Sequence, residues 1–142
     1  MADVTVDYQS QSRGASLQVR DVATANTTIL LGIMLIRTTS TGLIMPASDS
    51  ATGSTFAGWS LSHVDANGGT DTPTVTIEQK ADRLMDCYDS LTQADVGRAA
   101  MVYVKDNHTV AATGSTSHQI AVGYIVPPFV SANKCWVRPV AY

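Results

Sequence analysis

Ile29–Thr38 reads ILLGIMLIRT, an almost unbroken run of aliphatic residues with one glycine inside. It is too short to cross a bilayer, which takes about 20 apolar residues. Unbroken apolarity in a strand means burial on both faces, or on one face and in a subunit contact on the other. TGLIM, Thr41–Met45, follows across a Thr-Ser-Thr-Gly turn, so the pair reads as a strand and its return.

The rest of the chain has the same character. Of 142 residues, 44% are hydrophobic and only 15% charged, so Thr and Ser take the room that Lys and Glu usually fill. Thr suits a pleated, half-buried surface, and Lys and Glu favour helices, so the composition points to an all-β fold. FAGWSLSHV from Phe56, TVTIE from Thr74, MVYV from Met101, QIAVGYIV from Gln119 and KCWVRPVAY from Lys134 read as further short strands. The spacing is that of a compact β-sandwich or barrel-like domain. Pro127-Pro128 is expected to end its strand, because proline donates nothing to a ladder. ADRLMDCYDS, Ala81–Ser90, fits either a helical stripe or an irregular strand, and the strand is preferred. Thr92 and Asp95 have capping-box spacing, with Gly97 closing a single helical turn. Residues 1–25 read as an extended N-terminal arm on a single β-rich domain, residues 26–142. In the arm Val4, Val6 and Tyr8 share one face.

The pentapeptide Ala-Thr-Gly-Ser-Thr occurs twice, from Ala51 and from Ala112, each time ahead of a Gly-aromatic pair, Gly58-Trp59 and Gly123-Tyr124. It suggests an internal repeat, although chance can produce five matches in a chain this rich in Ala, Thr, Ser and Gly.

A net charge of −3 with nine scattered Lys and Arg argues against nucleic-acid binding. No secretory signal or membrane segment is read in the chain. Cys87 and Cys135 could pair with each other, and the preferred reading is two free thiols in a reducing compartment. His63 and Asp65 have metal-ligand types at i, i+2, and Asp82, Asp86 and Asp89 recur at helical spacing. The preferred readings are a turn histidine and a solvated acidic edge. DANGGTD, Asp65–Asp71, lacks the Glu of a calcium loop and reads as a turn. No nucleophile elbow or phosphate-cradling loop occurs. The expectation is a non-enzymatic protein with no catalytic residues, cofactor or metal.

One resemblance sharpens this. Thr92–Asp95–Val96–Gly97, Val102–Tyr103–Val104–Lys105–Asp106, Thr109–Val110, Val122–Gly123–Tyr124–Ile125 and Cys135–Trp136–Val137 follow in an order that resembles small tailed-phage capsid decoration, or cement, proteins. Gly32, Gly42, Pro46 and Ala47 upstream are similar to that family too. The Asp65–Pro73 insert and the 81–90 segment depart from its pattern. The resemblance implies a structural protein on the outside of a phage capsid, bound as homotrimers to the major capsid protein and found on the virion, after assembly in the host cytoplasm. The arm, through Val4, Val6 and Tyr8, would then contact the capsid. Trp59, Trp136 and Tyr142 would be aromatics of the core or of subunit contacts, with core preferred for the two Trp. The rival is a receptor- or carbohydrate-binding β-module, such as a head-fibre component, centred on FAGWSLSHVDAN.

Overall fold

The computed structural model describes residues 3–5, 7, 11–14, 17–48, 53–65, 73–112 and 120–140. Its elements are β1 (Ser12–Arg13), β2 (Leu17–Val22), β3 (Met34–Thr38), β4 (Ile44–Pro46), β5 (Ser54–Ser60), β6 (Thr74–Gln79), β7 (Asp82–Cys87), α1 (Gln93–Gly97), β8 (Met101–Val104), β9 (Thr109–Ala111), β10 (Ala121–Ser131) and β11 (Lys134–Pro139). The class is all-β, as the sequence leads one to expect.

β3 holds only the second half of the apolar run; Ile29 makes a bridge to Val64 and a turn at Leu31-Gly32 leads into the strand. β3 is the strand between β5 and β4 in a five-stranded sheet ordered β2-β6-β5-β3-β4. Leu35 faces a cluster with Ala23, Ile29, Ile33, Ile44, Ala57, Val75 and Ile77. Its neighbours Met34 and Ile36 face the other way, into a second cluster with Phe56, Trp59 and residues of β7 to β11. Both faces are therefore dry. The sheet curls until its outer strands touch at the Ala23–Ile44 bridge.

The second sheet runs β7-β11-β10-β8-β9 and closes into a barrel where β9 pairs in parallel with β7, Asp86 with Thr109 and Cys87 with Val110. β1 adds to the free end of β7. Met85, Cys87, Val102, Val104, Val110, Ile125, Cys135 and Val137 fill the cluster it shares with the first sheet. Cys87 and Cys135 are both free and buried there.

The two sheets are one topology written twice. Adding five to each label of the first sheet's order gives the second. The match extends to single residues. Leu35 pairs with Gly58 and Ile36 with Phe56, with a register slip between them; Val102 pairs with Gly123 and Tyr103 with Ala121, with the same slip. Met34–Trp59 thus corresponds to Met101–Tyr124, and Trp59–Glu78 to Tyr124–Arg138. The parallel Ala23–Ile44 bridge corresponds to Cys87–Val110. The slip is a β-bulge, and the extra residue lets Phe56 and Trp59, three apart, enter the same cluster.

The bulge explains the repeated glycine. At Gly58, φ is 137° and an added Cβ would lie 2.4 Å from the Glu78 carbonyl oxygen; at Gly123 it would lie 2.0 Å from that of Arg138. In each half the last strand crosses directly over this backbone, leaving room for hydrogen only. Most of the two Ala-Thr-Gly-Ser-Thr segments lies outside the described residues.

Several expectations need correction. β10 continues through Pro127-Pro128 to Ser131; its ladder to β11 is interrupted between Val126 and Ser131, so no donor is required where the prolines sit. The arm boundary at residue 25 falls too late, because Leu17–Val22 pairs with β6 along its whole length. Ala81–Ser90, by contrast, does contain the strand preferred for it, β7. Its alternation puts Arg83, Met85 and Cys87 inside and Leu84 and Asp86 outside.

Candidate functional site

The N-terminal segment lies across both sheets and is held largely by side chains. The Asn107 N–H donates to Asp3 Oδ1 at 2.9 Å, its Oδ1 accepts from the Val4 N–H at 3.0 Å, and its Nδ2 donates to the Val4 carbonyl at 3.3 Å. Val4 is half-buried against the first sheet's cluster. Asp7 Oδ1 accepts from the Leu31 N–H at 2.8 Å and lies 2.6 Å from His63 Nδ1. His63 Nε2 in turn lies 2.8 Å from Asp65 Oδ1. Further on, the Leu84 N–H donates to the Gln11 carbonyl at 2.8 Å, and Ser12 and Arg13 pair with Arg83 and Asp82. The segment is docked on its own body, where the sequence suggested a loosely held arm. Val6 and Tyr8 lie outside the described residues.

His63 gives this strap a pH signature. Both ring nitrogens face carboxylate oxygens, which only accept, so the arrangement calls for an N–H on each nitrogen and hence the imidazolium. Hydrogen bonds to Asp7 and then Asp65 raise the His63 pKa above its ordinary 6.5, while the Leu31 N–H and then His63 hold Asp7 below its ordinary 3.8. The raised histidine contributes fully below its unfolded value and loses its contribution as pH rises through the folded one. The depressed Asp7 contributes above 3.8 and loses its share as pH falls through its folded value. Protection of the Leu31 amide, corrected for intrinsic exchange, is therefore expected to be highest between these limits and to fall on both sides. His63→Gln removes the alkaline limb. A profile flat across both titrations would show that the clasp does not hold the strap.

The outer face of the barrel is the second feature. Across β7 and β11, Arg138 faces Asp82, Trp136 faces Leu84 and Lys134 faces Asp86. The Arg138 guanidinium donates from Nε and Nη2 to the two Asp82 oxygens at 2.9 and 3.1 Å, and Lys134 Nζ donates to Asp86 Oδ1 at 2.6 Å. An apolar pair is thus flanked by two opposite-charge pairs, the arrangement that pins a register. Arg13 covers the Trp136 ring, its guanidinium carbon 4.1 Å from the centroid, and donates to the Pro127 carbonyl at 2.5 Å.

These placements sort the expected site residues. Trp59 is fully buried, but Trp136 stands half-buried on the outer face, where the alternation of Lys134, Trp136 and Arg138 carries it. Tyr142 lies outside the described residues. Asp82, Asp86 and Asp89 form no solvated edge: the first two are ion-paired, and Asp89 Oδ2 accepts from the Ala112 N–H at 2.7 Å. His63 and Asp65 do meet, with Asp7 as third partner, but among the described residues no group of three or more His, Cys, Asp and Glu is placed to hold a metal. The turn at 65–71, once compared with a calcium loop, lies almost wholly outside them. Sequence reasoning missed Asn107, and also Arg13, whose ring partner is 123 positions away (136 − 13). No family model, curated protein or solved structure matches the chain.

Proposed function

We propose that this is a non-enzymatic structural protein of a phage virion, which binds the outside of the shell as trimers and stabilises it. The observation that carries the reading is where the resembling motifs fall. Thr92–Gly97 forms the capped turn, in which the Thr92 N–H donates to Asp95 Oδ2 at 2.7 Å. Val102–Val104 is β8, Thr109–Val110 is β9, Val122–Ile125 lies in β10 and Cys135–Val137 in β11. The series therefore supplies four of the barrel's five strands in chain order, and β7, from the segment that departs from the pattern, supplies the fifth. A barrel has few free edges and presents rigid faces, which suits a clamp between neighbouring capsid subunits. Many copies on one lattice let modest contacts add up. The rival sugar-binding reading loses its platform, since Trp59 is fully buried with Phe56 edge-on at 4.9 Å.

Co-sedimentation with shells of the cognate major capsid protein tests the proposal. The expected result is saturable binding at a fixed ratio, weaker for a chain lacking residues 1–10, a truncation that spares β1 and β2. Absence of binding to both immature and expanded shells overturns it.

A further inference from the structure

The duplication leaves a used seam in the middle of the chain and an unused half of it at each end. At the seam the first sheet packs on the second through Met34 and Trp59, both 0% exposed. Ala81, at the turn where the chain passes from β6 to β7, is 1% exposed. One unit along, the equivalent of Met34 is Met101, 38% exposed, and that of Trp59 is Tyr124, half-buried on the barrel's outer face. One unit back, the ladders match Val19–Ile77 to Arg83–Val137, so Ala81 corresponds to Leu17, 43% exposed. Two of the large hydrophobic residues that stand exposed are thus equivalents of positions the chain buries against itself.

We propose that a second copy of this chain docks head to tail, Met101 and Tyr124 of one copy against Leu17 and Val19 of the next. The contact repeats between chains the packing that the two sheets make within one. The chemistry of the ends fits. At the inner seam Arg83 sits over Trp59 and must be neutralised by Glu78. At the outer one the equivalents are Val19 and Tyr124, and the charge at the Glu78 position, Arg138, is already held by Asp82. No charge has to be buried bare, so the outer contact forms without the desolvation cost that an unpaired ion brings. A contact between unlike faces either closes into a ring or runs on as a filament. The proposal shares the self-association of the functional reading above but needs no shell.

The test is sedimentation velocity of the full chain over a concentration series, with Met101→Glu and Leu17→Glu alone and mixed. Wild type is expected to associate with rising concentration, and each variant alone to stay monomeric with an unchanged thermal midpoint. The mixture, which keeps one intact pair of faces, is expected to stop at dimers. Three outcomes overturn the proposal: a wild type monomeric at every concentration, association undiminished in either variant, or a mixture that forms no dimer. A monomeric chain that still coats shells would remove this contact and leave the decoration reading standing.

Discussion

Trp59→Ala is expected to cost about 3–5 kcal/mol of stability, the range for truncating a large buried aromatic. Trp59 is 0% exposed and stands where the two sheets meet, with the Phe56 ring edge-on at a centroid distance of 4.9 Å and the Arg83 guanidinium 5.1 Å from its own ring. The loss leaves a cavity that neither sheet can close alone, because the bulge at Gly58 fixes the backbone that carries the side chain. Denaturant unfolding, read as a shift in midpoint at constant slope, measures it. Native stability of a domain is only about 5–15 kcal/mol, so the variant would sit close to unfolding at ambient temperature. A cost below about 1 kcal/mol would mean that the ring is a surface platform and that the seam is wrongly drawn. Trp59→Phe should cost much less, since it keeps most of the apolar contact and removes an indole N–H that has no hydrogen-bond partner among the described residues.

Arg83→Met is the second large effect, again about 3–5 kcal/mol, and its cause is electrostatic. The Arg83 Nη2 donates to Glu78 Oε1 at 2.5 Å, with the two side chains only 5% and 8% exposed. Burial pushes the guanidinium below its ordinary value, and Glu78 opposes that shift. Taking away the cation leaves a carboxylate in a dry seam beside an aromatic ring. The double variant Arg83→Met with Glu78→Leu is expected to recover most of the loss, because apolar groups of similar volume need no partner. If the double variant is no better than the single, Arg83 acts through packing and not through its charge. Since Arg83 also covers Trp59, the losses of Arg83→Met and Trp59→Ala should fail to add.

The all-β class was legible because Met34, Leu35 and Ile36 of β3, apolar on both faces, have nowhere to go but between two layers. The capped turn at Thr92–Asp95 was legible too, since its signal is local. The duplication was legible only as a hint, in the paired Gly58-Trp59 and Gly123-Tyr124, for a physical reason. It survives in backbone register, while side chains have changed to suit different surroundings: Glu78 against Arg138, Val19 against Arg83, Trp59 against Tyr124. Only the bulge glycines had to stay, because a carbonyl of the last strand passes over each. The strap was hidden for the opposite reason. Asn107 and His63 hold residues more than 50 positions away through single side chains, and no periodicity records such a contact. The prolines misled because a sound rule about donors was applied where a register break removes the demand for one.

The order of the two halves along the chain matters when the protein is made. All of β2 to β6 precedes β7, so the first sheet leaves the ribosome complete while the second does not yet exist. Its face of Met34, Ile36, Phe56 and Trp59 must wait in water for the roughly 60 residues that will cover it, about 3–12 s at about 5–20 residues per second. During that interval two nascent chains on neighbouring ribosomes offer each other the same sticky surface. β1, made before every other strand among the described residues, has no edge to join until β7 arrives, so it can be among the last of them to be placed.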